Sequence, residues 1–69
     1  MKIERGNTRD IATLNDSQGD DIEIRSYTAG GLKGFLVLYC ESGAILDKTG
    51  VCDLIGLLSR WVASGRLEE

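Results

Sequence analysis

The 69-residue chain carries eight basic and eleven acidic side chains, no histidine, no proline and two cysteines, for a net charge of −3. A domain this small buries only about 60% of the surface its unfolded chain exposes, so a disulfide, a metal or a partner chain is the usual supplement. The absence of histidine excludes Ser-His-Asp and Cys-His catalysis, and the acidic balance weighs against binding driven by phosphates.

Residues 2–5 alternate polar and apolar and predict a short first strand, ended by Gly6-Asn7. Residues 9–14 predict a second strand, since no helical period develops before Asn15. Residues 15–21, Asn-Asp-Ser-Gln-Gly-Asp-Asp, form a loop, because Asn, Asp and Ser bond their own backbone and Gly supplies positive φ. Residues 21–28 alternate, with Ile22, Ile24 and Ser26 on one face and Glu23, Arg25 and Tyr27 on the other, which predicts a half-buried strand.

Three glycines within residues 29–34 predict a tight reversal. The apolar run from Phe35 to Cys40 is too short for an ordinary helix and reads as a strand, extending to Glu41, buried on both faces. Residues 21–41 therefore predict a β-hairpin. Ala44-Ile45-Leu46 reads as a further short strand. Residues 51–62 predict an amphipathic helix whose stripe is Val51, Leu54 or Ile55, Leu58 and Val62, widened by Leu57 and Trp61. Thr49 is the expected N-cap and Gly65 the expected C′ residue, with residues 66–69 frayed.

The fold expected is α+β: a single domain over residues 1–69, with a small antiparallel sheet of three or four strands, based on the hairpin, packed on one C-terminal amphipathic helix.

Chemical motifs are sparse. The acidic loop lacks the spacing of a calcium loop, and the glycines of residues 30–34 lie between two strands rather than before a helix, as a phosphate loop requires. Cys40 and Cys52 read as reduced, buried small hydrophobes, because no apolar leader segment points to an oxidising compartment. Cys52 in the first helical turn is the better nucleophile of the two, but Asp53 opposes thiolate formation. Tyr27 and Tyr39 on adjacent strands resemble a base-stacking platform that lacks a basic groove. No metal and no cofactor are expected.

The functional expectation is a non-catalytic protein-binding module, a small cytoplasmic regulator or inhibitor of accessory or phage type. It would act by contact with another protein, as by occupying a basic, nucleic-acid-binding surface. Asp16, Asp20, Asp21 and Glu23 are the expected steering patch for that partner. A proline-free sheet has unguarded edges, so a homodimer is expected, with Leu57, Trp61 and Tyr39 at its interface, the other reading of Trp61 being that it completes the monomer core. The alternative is a dimeric nucleic-acid-binding protein in which Lys2, Arg5, Arg9 and Arg25 of two chains form a composite basic stripe. No membrane partner is expected.

Overall fold

A computed structural model describes residues 1–67. Four strands, β1 (Lys2–Arg5), β2 (Arg9–Asn15), β3 (Asp21–Tyr27) and β4 (Leu36–Tyr39), precede one helix, α1 (Lys48–Ser64). The strands form an antiparallel meander in chain order, so the expected α+β class holds with four strands. The β1–β2 turn is tight: a Cβ at Gly6 would sit 2.6 Å from the Arg9 carbonyl oxygen, so only glycine fits there.

The alternation along β2 and β3 decides which face is covered. Asp10, Ala12 and Leu14 of β2, with Ile22, Ile24 and Ser26 of β3, are buried, while the residues between them are at least partly exposed. α1 lies over this buried face. Its start is tied to the β2–β3 turn through Ile45, whose carbonyl accepts from the Ser17 N–H and Oγ at 2.8 and 2.7 Å. Its end is tied to the other end of the sheet, where Ser26 Oγ donates to the Gly65 carbonyl at 3.1 Å. The helix thus runs parallel to β3 across the central strands. Among the described residues, no element covers the opposite face of the sheet.

The helix begins earlier than the apolar pattern predicts. Asp47, not Thr49, is the N-cap, its carboxylate accepting from the Gly50 N–H at 2.9 Å. Gly65 closes the helix in the left-handed conformation, φ 76°, as expected. Residues 44–46 form no strand; Ile45 is held instead by Ser17 and by Asp16, whose Oδ2 accepts from its N–H at 3.2 Å.

The core contains Ala12, Leu14, Ile22, Ile24, Leu57 and Leu67, with Ile3, Leu36, Leu46, Leu54 and Trp61 packed around it. α1 turns a different side to the sheet from the one its apolar pattern predicts. The side facing the sheet is Leu54, Leu57 and Trp61, whereas Val51, Ile55 and Val62 are exposed. Leu57 has no accessible surface and cannot reach a second chain, and Trp61 is a half-buried wall of the monomer core. The fraying expected after Gly65 is also overturned for Arg66 and Leu67, because Leu67 is fully buried. Glu68 and Glu69 lie outside the described residues.

Candidate interaction surfaces

The expectation that Phe35 to Cys40 is buried on both faces fails, and for a topological reason. A meander leaves its last strand at the edge, and one helix over β2 and β3 does not reach it. Phe35 is 63% exposed, Leu38 54% and Tyr39 45%. The apolar character of β4 is therefore not explained by the chain's own core. Tyr39, an expected interface residue, does lie on this open edge.

The backbone alternation fixes what the edge presents. Tyr27 exchanges hydrogen bonds with Phe35 and Gly34, whereas the Thr28 N–H donates to the Thr8 carbonyl. Odd residues of β3 thus point their amides at β4 and even ones at β2. In the β3–β4 register, Arg25 opposes Val37 and Ile24 opposes Leu38. Val37 and Tyr39 therefore bond inward, and the N–H and C=O groups of Leu36 and Leu38 point outward, unpaired within the sheet. The other edge, β1, is lined by Lys2, Glu4 and Arg5; charges of this kind discourage strand pairing.

Chirality places the exposed helix stripe relative to that edge. For an L-residue strand receding from the viewer with its side chain up, the amide groups point right. Ile24 has its side chain toward α1 and its amides toward β2, so β2 is on the right and β4 on the left. α1 recedes in the same direction, and each residue turns it clockwise by about 100°. Starting from Leu54, Leu57 and Trp61 facing down onto the sheet, Val51, Ile55, Leu58 and Val62 come out on the left. The exposed apolar flank of the helix therefore overhangs β4, on the same side of the sheet as the side chains of Leu36 and Leu38. Val62 is 79% exposed and Ile55 58%.

The expected acidic patch is largely dismantled. Asp16 is buried and structural: its Oδ1 accepts from the N–H groups of Gln18 and Asp20 at 2.8 and 2.9 Å, and its Oδ2 from that of Ile45. The Ile45 amide first, then those of Asp20 and Gln18, hold its carboxyl below the usual aspartate value against the opposing effect of burial. Glu23 lies on the open sheet face and pairs with Arg25 at 2.7 Å. Asp20 and Asp21 remain exposed and share a shallow concavity with Glu41 and Ser42.

The open sheet face brings together residues that the sequence placed on separate strands. The Arg25 guanidinium lies 4.6 Å from the centre of the Tyr39 ring, a cation–π distance. Tyr27 shares this face and opposes Arg9 on β2. The Arg25 side chain, with smaller contributions from Tyr39 and Arg9, lowers the Tyr27 phenol below its ordinary value, and Tyr27 in turn raises that of Arg25. Lys2 also lies on this face but pairs with Glu4 at 3.2 Å. Arg5 opposes Asp10 on the helix side, away from Arg9 and Arg25, so the four cations of the composite stripe do not share one face of a single chain.

The residue that sequence reasoning missed is Asp10. It is fully buried and accepts from Arg66 Nε and Nη2 at 2.8 and 2.7 Å and from the Leu67 N–H at 3.1 Å. The signal was present: Asp10 stands in phase with Ala12 and Leu14, at an inward position where a charge demands a partner. Both cysteines, expected in the core, are exposed. Among the described residues there is no grouping of histidine, cysteine, aspartate or glutamate arranged to hold a metal ion, and no helix is long and apolar enough to cross a membrane. No protein-family model, no curated protein and no solved structure matches the chain.

Proposed function

We propose that the protein is a non-catalytic binding module that acts by contact with another polypeptide. One observation carries this reading: the apolar flank Val51, Ile55 and Val62 is exposed, with Leu58 half-buried among them, beside an apolar, uncharged edge strand, on a domain that buries few apolar side chains of its own. Exposed apolar patches of this kind mark interaction sites. A small regulator or inhibitor in the cytoplasm fits the size and acidity of the chain, and the exposed Asp20 and Asp21 would favour a basic partner surface. The test is retention of polypeptides from the native host by wild type, Ile55→Glu and Asp20→Lys/Asp21→Lys. Loss of a bound chain with Ile55→Glu supports the reading, and identical retention by all three refutes it.

A second reading has its own observation, the Arg25–Tyr39 stack beside Tyr27 and Arg9 on an uncovered sheet face. Aromatic rings and arginine planes on an open sheet are the elements on which single-stranded bases stack. Titration with oligothymidylate across a salt series tests it: binding lost in Tyr39→Ala and weakened by salt supports this reading, and no binding at low salt removes it.

A further inference from the structure

The open β4 edge and the helix flank beside it form one surface, and we infer that its occupant is a second copy of this chain. The inference rests on the contact-module reading and names the partner. Three features select self-association.

First, the edge is self-complementary. The outward N–H and C=O groups of Leu36 and Leu38 are a donor–acceptor set that an antiparallel copy of the same strand satisfies reciprocally about a two-fold axis. Such a pairing would join two four-stranded meanders into a continuous eight-stranded sheet. Neither a charged side chain nor a proline interrupts Leu36-Val37-Leu38-Tyr39, whereas the β1 edge is charged.

Second, the two-fold operation brings like surfaces together. Both helices would lie on the same side of the joined sheet with their Val51, Ile55, Leu58 and Val62 flanks turned toward each other. Leu36 and Leu38 of both chains would form the floor between them. The surface on the helix is the surface a partner helix would need, so one apolar patch answers another with no separate receptor site.

Third, the flank meets no like charge when it faces its own image. Asp53 and Arg60 fall outside the exposed apolar stripe, and Lys48, in line with Val51 and Ile55, stands at the stripe's N-terminal end, which a two-fold axis sets against the Val62 end of the partner helix. A standard interface takes about 800 Å² per partner, roughly one sixth of the 4676 Å² this chain exposes. Leu36 and Leu38 on the helix side of the sheet, with Val51, Ile55 and Val62 beside them, are the apolar residues from which to draw it.

Sedimentation equilibrium on wild type, Leu38→Lys, Ile55→Glu and the β1-edge control Lys2→Glu tests the inference, with circular dichroism to establish that each variant is folded. Wild type and Lys2→Glu are expected to be dimers, and Leu38→Lys and Ile55→Glu to dissociate at least about tenfold more readily. If a variant fails to fold, Val62→Glu replaces it, since Val62 is 79% exposed and outside the core. A monomeric wild type overturns the inference, as does a dimer that neither Leu38→Lys nor Ile55→Glu weakens. A monomeric wild type that still loses a heterologous partner on Ile55→Glu overturns the second copy alone; a monomer retaining the same partners in both forms overturns the contact-module reading as well.

Discussion

Replacing Asp10 with alanine is the most informative single perturbation of the fold, because one carboxylate joins β2 to the chain beyond the helix. Truncation removes the paired bonds from Arg66 Nε and Nη2 and the bond from the Leu67 N–H. Breaking a buried ion pair costs about 3–5 kcal/mol. The Arg66 side chain is 25% exposed and can turn toward water once released, so solvent screening brings the expected loss to about 2–3 kcal/mol. A domain of this size is stable by only about 3–10 kcal/mol; Asp10→Ala therefore removes a large share.

The pH dependence follows with a definite sign. The Arg66 hydrogen bonds hold the Asp10 carboxyl below the ordinary aspartate value of 3.8 in the folded chain, against desolvation. Its stabilisation is complete above that unfolded value and is lost as pH falls through the lower folded value. Urea unfolding followed by Trp61 fluorescence at fixed protein concentration, for wild type and Asp10→Asn, reads both effects. Fixed concentration matters because association adds to apparent stability. Wild type should weaken more steeply than Asp10→Asn on acidification below pH 3.8, while part of the acid limb survives in the variant because Asp16 is shifted in the same direction. A midpoint for Asp10→Ala within about 0.5 kcal/mol of wild type, with superimposable acid limbs for Asp10→Asn, would refute the clamp.

Other consequences are equally direct. Leu57→Ala should cost about 2–5 kcal/mol in the same assay, as a fully covered leucine does; a change in association with unchanged stability would return Leu57 to the interface. The Tyr27 phenol should ionise below the ordinary value of about 10, and Arg25→Gln should move it back up, read as phenolate absorbance against a Tyr27→Phe baseline. Cys40 and Cys52 should both be alkylated in the folded chain, and a thiol that reacts only after denaturation would show its exposure to be wrong. Gly65→Ala should cost about 1 kcal/mol because the helix closes at φ 76° there.

The sheet was legible in the sequence wherever a period-2 pattern met a turn signal. β1, β2 and β3 stand where alternation and the Gly and Asn/Asp punctuation placed them, because a half-buried strand writes its pleat directly into residue order. Apolarity read as burial was the source of the main errors. Phe35 to Cys40 looked like a strand covered on both faces, yet the meander leaves it at the edge. Hydrophobic run length reports only that apolar surface wants covering, not which chain covers it. The helix shows the same effect. Two apolar stripes about 100° apart lie on α1, and periodicity cannot say which one meets the sheet; the stripe ending in the bulky Trp61 does, and the one expected in the core is exposed.

The candidate surfaces were less legible than the fold. Asp16 looked like a steering charge because its backbone-capping role depends on Ile45, 29 residues away. The inward phase of Asp10 was legible, but its partner was not, because Arg66 stands 56 residues later. Tyr27, Arg25 and Tyr39 were assigned correctly to adjacent strands, but their stacking needed the β3–β4 register, which places Tyr39 opposite Glu23 and within reach of Arg25.

Backbone amide exchange at Leu36 and Leu38 tests the central claim most directly, since those N–H groups point away from β3, have no partner in the sheet among the described residues, and gain one when a second β4 docks. The two amides should become protected as protein concentration rises, in step with dimer formation, and remain unprotected in Ile55→Glu at every concentration. Fast exchange at Leu36 and Leu38 in concentrated wild-type protein, with the neighbouring Val37 and Tyr39 amides protected, would contradict it.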